Sequence, residues 1–227
     1  MNIISIISSI LLFSSLNGCK STQVTPVTEE RTLEEVVVKP QKDLSQYHKA
    51  YFASGCFWCV EAIFESVIGV EEAISGYSGG TAQNANYKAV SAGYTNHAEA
   101  VEIYYDTTKV DYPTLLQVFF GSHDPTTLNR QGPDRGRQYR SAIFYQNDKE
   151  KEIAQSYKNQ LDNSDIFAKS IVTEIVPLDE FYAAEDYHQD FERRNPNQGY
   201  VKAVSIPRLN KFKRKFPELL KEGHHAH

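Results

Sequence analysis

Cysteine is scarce in this chain: 227 residues contain three, Cys19, Cys56 and Cys59. Three cysteines exclude a disulfide scaffold and any four-cysteine zinc site. Basic residues are too few, 24 against 29 acidic for a formal charge of -5, to supply the cationic face that clamps a nucleic-acid backbone, so no nucleic-acid partner is expected. No apolar run reaches the roughly 18 residues of a membrane-spanning helix. Methionine occurs once, at Met1, and tryptophan once, at Trp58 between two of the cysteines, although there are 14 Tyr and 12 Phe. With 41% apolar and 23% charged residues, the composition is that of a globular protein, and the length suits one large domain or two small ones.

Residues Ile3 to Leu16 form an apolar stretch interrupted only by serines. It is too short to span a membrane and reads as the core of a secretory signal. It ends in Leu16-Asn17-Gly18-Cys19, which resembles a bacterial lipoprotein processing site, although no Lys or Arg precedes the apolar run. The expected organisation is a signal peptide over 1–18, a lipidated Cys19, a flexible polar tether over 19–46, a catalytic domain over 47–210 and a charged tail over 211–227. Such a chain is membrane-attached through its lipid, in the bacterial cell envelope, facing the periplasm or surface. A lipidated Cys19 has no thiol, so any dithiol chemistry falls to Cys56 and Cys59 or to an outside thiol.

Within the folded part, Tyr51 to Gly55 reads as a short strand ending at a glycine. Val60, Ile63, Phe64, Val67 and Ile68 follow at the spacing of an amphipathic helix, with Gly69 placed to end it. Val70 to Ser75 predicts a strand leading into a Gly76-Tyr-Ser-Gly-Gly80 loop. Ala100 to Asp106 alternates as a strand, and Glu99 shares the apolar face of Val101 and Ile103. Pro113 opens a helix through Phe120. Residues 121–140 read as a long loop. Ser141 to Tyr145 predicts a strand, Lys149 to Leu161 a helix, Ile171 to Val176 a strand, and 179–227 a charged, aromatic tail with local helices. Strands alternating with helices predict one α/β or α+β domain. The closing His224-His-Ala-His reads as a disordered end rather than a metal site.

Three chemistries fit Gly55-Cys-Phe-Trp-Cys-Val-Glu61. A metal site needs further ligands, for which His97, His123 and His188 are present but without paired spacing. A thioredoxin-like dithiol fits Cys-x-x-Cys opening a helix, although Phe-Trp is an unusual insert. A thiol enzyme with an aromatic pocket is the third. Opening a helix favours the thiolate, through the unpaired N–H groups and the helix dipole.

This stretch resembles the signature of the A-type peptide methionine sulfoxide reductases. Gly76-Tyr-Ser-Gly-Gly80, Asn86-Tyr-Lys-Ala-Val90, Asn96-His-Ala-Glu-Ala-Val101, Ser122-His-Asp-Pro125, Asp134-Arg-Gly-Arg-Gln-Tyr-Arg-Ser141 and Ala184-Glu-Asp-Tyr-His-Gln189 resemble further segments of that family, in order, over roughly residues 48–205. The resemblance implies a two-layer sandwich around a mixed sheet, no metal or other cofactor, and reduction of the S epimer of methionine sulfoxide, free or in oxidised proteins and peptides. It implies that Cys56 is the nucleophile and becomes a sulfenic acid, and that Glu99 is the acid. It makes Tyr87 and Tyr139 donors to the sulfoxide oxygen, Asp134 an orienting residue, and Phe57 and Trp58 the pocket for the S-methyl group. Glu61 is expected to be mainly structural. Many relatives carry a C-terminal recycling cysteine, absent here, so Cys59 is the expected resolving thiol and a thioredoxin-like protein the expected reductant. A monomer is expected. The competing class is a membrane-tethered, thioredoxin-like dithiol exchanger.

Overall fold

The computed structural model describes residues 42–223. The expected signal, Cys19, most of the expected tether and the terminal histidines lie outside the described residues.

The sequence begins its sheet with β1 (His48–Ser54), where Ala50 and Phe52 face one way and Tyr51 and Ala53 the other, as strand geometry requires. α1 (Phe57–Glu65) follows at once, then β2 (Val70–Ser78), a short α2 (Tyr87–Ser91) and β3 (Ala98–Tyr105). α3 (Tyr112–Gly121) starts at Asp111, whose side chain accepts from the Thr114 N–H at 2.9 Å, with Pro113 in its first turn. A two-strand ribbon, β4 (Arg130–Gln131) and β5 (Asp134–Arg135), precedes β6 (Ser141–Tyr145). α4 (Asp148–Asp162) is capped by Asn147, and β7 (Glu174–Pro177), β8 (Phe181–Ala183), α5 (Phe191–Arg194) and α6 (Ile206–Lys215) complete the chain.

The main sheet has the order β7-β6-β1-β3-β2-β8. Only the β6–β7 pair is parallel, so the sheet is mixed, as expected. The larger core lies between one face of this sheet and the helices. There Phe52 stacks on Phe64 and Phe119 at ring distances of 5.5 and 5.1 Å. Burying a side chain of that size contributes about 1.5–3 kcal/mol. A smaller cluster of Tyr51, Ala53, Ala98, Ala100, Ala142 and Phe144 covers the opposite face. Both faces of β3 are therefore buried, although its Val101–Ile103–Tyr105 side carries most of the apolar bulk.

Several boundaries differ from the sequence reading. α1 ends at Glu65, not at Gly69, because the Ser66 hydroxyl donates to the Ile63 carbonyl at 2.6 Å and closes the last turn. β2 runs on through Gly76 and Tyr77, where a loop was expected, because that stretch pairs with β3 and β8 on both sides. A Cβ at Gly76 would collide with the Phe181 ring and the Tyr182 carbonyl, so the glycine permits close strand approach rather than a turn. β7 begins at Glu174 rather than Ile171. The expected loop 121–140 contains the β4–β5 ribbon. The expected tail contributes β8 to the sheet edge. The expected boundary at 210 falls inside α6, where Phe212 is buried, and Leu220 packs beyond it in a bridge to Val67; the folded unit continues to Leu220.

Candidate active site

β1 and α1 meet in a sharp bend that presents Cys56. Gly55 takes a φ of +97°, and a Cβ there would come within 2.7 Å of Gln131 Cβ, so both conformation and space call for glycine. Cys56 precedes the helix in extended geometry, and its carbonyl accepts from the N–H groups of Cys59 and Val60 at 3.2 and 3.3 Å. The N–H of Phe57, an orphan donor of the first turn, donates to Glu99 Oε2 at 3.0 Å. Glu99 comes from β3, paired with Tyr77 of β2, and is only 2% exposed.

A cavity of about 190 Å³ lies over this bend, lined by Cys56, Phe57, Trp58, Tyr87, Glu99, Asp134, Tyr139 and Tyr200. It brings together all seven catalytic and substrate-pocket residues expected from the sequence. Cys59, the eighth, is buried on the same helix but does not line this cavity. Tyr87 opens α2, its N–H held by Glu185 Oε1 at 3.0 Å. Tyr139 ends a tight turn, Arg137–Tyr139, that leads into β6. Asp134 stands on the β4–β5 ribbon.

Tyr200 is the cavity residue that sequence reasoning missed. Its hydroxyl donates to Asp134 Oδ2 at 2.6 Å and lies 4.0 Å from Cys59 Sγ. It precedes a π-helical turn, Val201–Ser205, a feature frequent at functional sites. His188 was weighed only as a metal ligand. It instead accepts from the Trp58 indole N–H at 3.1 Å, and its ring packs 4.4 Å from Tyr87 and 5.0 Å from Phe57. Trp58 also stacks on Phe191 at 3.8 Å. Phe57 and Trp58 are thus rigid walls.

The electrostatics follow from burial. Desolvation pushes the Glu99 carboxyl up to about 8, past the opposing hydrogen bond from Phe57, with Asp134 adding to the rise. A neutral carboxyl fits this surrounding. Burial also keeps Tyr87, Tyr139 and Tyr200 as neutral phenols, able to donate. Burial drives the Cys56 thiol well up, and the Cys59 and Glu99 charges act in the same direction. The lowered thiol expected at the helix start is found instead at Cys59, drawn down to about 7 by its hydrogen bond with Cys56 against the cost of burial, with help from Arg208. The helix start alone does not set the order: the Cys59 and Glu99 charges add to burial at Cys56, whereas Arg208 and the Ser205 and Tyr200 hydroxyls favour the Cys59 thiolate.

The remaining candidate ligands are engaged elsewhere. His97 Nε2 contacts the Thr81 carbonyl, and His123 bridges the Phe119 carbonyl and the Ser141 hydroxyl. Among the described residues, the one cluster of three potential metal ligands is Glu61, Glu65 and Asp190, which contains neither cysteine. Glu61 is a buried pin: its carboxylate accepts from the Ser75 hydroxyl and the Asp190 N–H, tying α1 to β2 and to the C-terminal segment.

The family model described as peptide methionine sulfoxide reductase matches residues 48–220. The chain belongs to that family. It is 53% identical over 174 residues to peptide methionine sulfoxide reductase MsrA 2 of Synechocystis, covering 76% of this chain and 81% of that protein. It is 50% identical over 187 residues to MsrA 1 of Rhodopirellula baltica, covering 82% and 94%. Among solved structures, reduced Mxr1 of Saccharomyces cerevisiae superposes with a TM-score of 0.63 at 31% identity, over 70% of this chain and 91% of that one. Methionine sulfoxide reductase A of Corynebacterium diphtheriae gives 0.58 at 36%, over 66% and 76%. This peptide methionine sulfoxide reductase is an oxidoreductase that reduces methionine sulfoxide by thiol chemistry.

Proposed function

We propose that the chain reduces the S epimer of methionine sulfoxide, free or in oxidised proteins and peptides, with Cys56 as nucleophile and Glu99 as proton donor. The observation that carries this reading is a buried Glu99, its carboxyl pushed up by desolvation, sharing one small cavity with Cys56 and three phenols. Phe57 and Trp58 take the S-methyl group, where sulfur–aromatic contact is worth ~0.3–1.5 kcal/mol. Tyr87 and Tyr139 donate to the sulfoxide oxygen, and Asp134 orients the site through Tyr200. As Cys56 attacks the sulfur, its proton passes along the thiol pair to Cys59, and Glu99 protonates the oxygen. The hydroxyl oxygen then transfers from the substrate sulfur to Cys56 as the bond between the two sulfurs breaks, so methionine leaves as the thioether and Cys56 becomes a sulfenic acid.

Cys59 then attacks the Cys56 sulfur, forming a disulfide and releasing water. A thioredoxin-like dithiol restores both thiols. The balance is one sulfoxide and one dithiol converted to one thioether, one disulfide and water. No cofactor takes part in this scheme. The test is incubation with each epimer of a methionine sulfoxide peptide and dithiothreitol. Methionine from the S epimer alone is expected; reduction of insulin with both sulfoxides untouched would replace this reading with a dithiol exchanger.

We further propose that residues 1–18 are removed, that Cys19 carries lipid, that 19–46 tether the domain, and that the enzyme acts as a monomer in a bacterial cell envelope. The Leu16-Asn-Gly-Cys19 pattern supports this reading. Cys19→Ala should leave the protein soluble or unprocessed where the native protein fractionates with membranes. An unmodified Cys19 thiol in the mature protein, found by mass spectrometry, contradicts it.

A further inference from the structure

We propose that the basic groove beside Cys59 is the docking surface for a protein dithiol whose reactive cysteine is ringed by acidic residues. The proposal rests on the reading that Cys59 resolves the Cys56 sulfenic acid.

The two thiols of α1 meet different spaces. Cys56 lines the 190 Å³ cavity; Cys59 lines a separate groove of about 810 Å³. Asp134 and Tyr200 line both, so their 2.6 Å hydrogen bond is part of the wall between them. The smaller space lies below the ~300–1,000 Å³ usual for ligand pockets and suits a single side chain, while the groove lies within that range. The groove beside Cys59 can therefore seat the surface of a second protein, whereas the cavity over Cys56 admits no more than one side chain.

The groove's charge says what kind of protein fits. Lys169, Lys211 and Lys215 are exposed along it, and Arg130 and Arg208 add two more cations against the carboxylates of Asp124 and Asp134. None of the three lysines joins an ion pair among the described residues. On a chain of formal charge -5, this local positive surface is set against the overall balance. Such a patch steers an acidic partner to the groove and rejects a basic one.

In the reduced structure Cys59 is only 1% exposed. Its side-chain neighbours Tyr200 and Ser205 bracket the π-helical turn Val201–Ser205, so that turn is the element that must lift to admit a thiol. The partner's thiolate then bonds to Cys59 Sγ as the Cys56–Cys59 bond breaks, and Cys56 leaves as a thiolate that takes up a proton. With Cys59 uncharged in the mixed disulfide, one cause of the raised Cys56 thiol is removed. The partner's second thiolate next attacks its own sulfur in the mixed disulfide and expels Cys59, whose lowered thiol makes it a good leaving group. The enzyme gains two electrons and the partner becomes a disulfide.

The experiment begins by treating the full chain with one equivalent of sulfoxide peptide and mapping its disulfide. Absence of a Cys56–Cys59 bond overturns the resolving role itself and this proposal with it. With the bond in place, an acidic thioredoxin lacking its second active-site cysteine is added, and the mixed disulfide is mapped. A link to Cys59 is expected; a link to Cys56 overturns the proposal. The Lys211→Glu, Lys215→Glu double variant is then compared with wild type. It should raise the KM for the intact acidic thioredoxin about tenfold at low salt, with the difference shrinking as salt screens the groove. Methionine release in a single turnover, and steady-state turnover with dithiothreitol, should stay as in wild type. An unchanged KM for thioredoxin, or an equal loss with dithiothreitol, overturns the docking surface while leaving the resolving role of Cys59 intact.

Discussion

The Phe57 backbone N–H donates to Glu99 Oε2 at 3.0 Å, so the residue after Cys56 holds the carboxyl beside it. A neutral carboxyl can accept on one oxygen and donate from the other. This bond therefore occupies one oxygen and leaves a hydroxyl for the cavity. It also anchors the Glu99 carboxyl to the backbone next to Cys56.

Glu99→Gln should slow methionine release by ~10²–10⁴-fold in a single turnover while peptide binding persists. The wild-type rate should fall as pH rises through about 8, where Glu99 loses its proton, and the variant should lack that alkaline limb. Equal single-turnover rates at pH 7 would remove Glu99 from the role of acid.

Cys56→Ser should abolish sulfoxide reduction with any reductant. The variant should still fold, because Cys56 contributes no side-chain cap to α1. Turnover near the wild-type level would sink the mechanism.

Cys59→Ser should release one methionine per chain, more slowly than wild type for want of a proton acceptor, and then stall with thioredoxin. Small thiols at high concentration should partly rescue it by attacking the sulfenic acid directly. Wild type after one equivalent of substrate should have lost both thiols, counted by alkylation. One thiol left in wild type, with normal thioredoxin-dependent turnover of the variant, would mean that outside thiols attack Cys56 directly.

Glu61→Gln should flatten the dependence of stability on pH. Burial raises the Glu61 carboxyl in the folded state to about 8, above its ordinary value of 4.5. The folded state thus holds a proton that the unfolded chain loses at lower pH. The stabilising contribution is complete below about pH 4.5 and is lost as pH rises through about 8. Melting temperatures measured between pH 5 and 8.5 should fall less in the variant. They will still fall, because burial raises Glu65 and Glu99 as well. Parallel curves would show that Glu61 does not titrate in this way.

Much of the site was legible because its residues stand in short contiguous segments with strong local patterns. Alternation put Glu99 on the helix-facing side of β3, and the stripe from Val60 to Val67 placed Cys56 at a helix start. What escaped depends on contacts distant in sequence. Tyr200 lies 66 residues from the Asp134 it binds, and no local periodicity marks a π-helical turn. β8 has three residues, too few for alternation to register, and exists because β2 offers an edge. Gly76 reads locally as a turn residue, whereas its use is to let β8 approach. The helix-start argument treats both thiols alike, and the charges that set them apart, Glu99 for Cys56 and Arg208 for Cys59, stand more than 40 residues away in sequence.

The cavity's cover arrives late in the chain. Cys56 and Cys59 lie near the start of the folded part, while His188 and Tyr200, which back and wall the space above them, come more than 125 residues later. During synthesis from the N-terminus, both thiols are therefore made well before His188 and Tyr200 can cover them. A nascent chain that meets an oxidant in that interval closes its two sulfurs into a bond before a substrate cavity exists. Under the proposed scheme such a molecule would begin life in the spent form, and a reductant would be needed once before the first turnover. Alkylation of chains arrested at increasing lengths would reveal this as a window of thiol loss that ends once residues beyond Tyr200 have emerged.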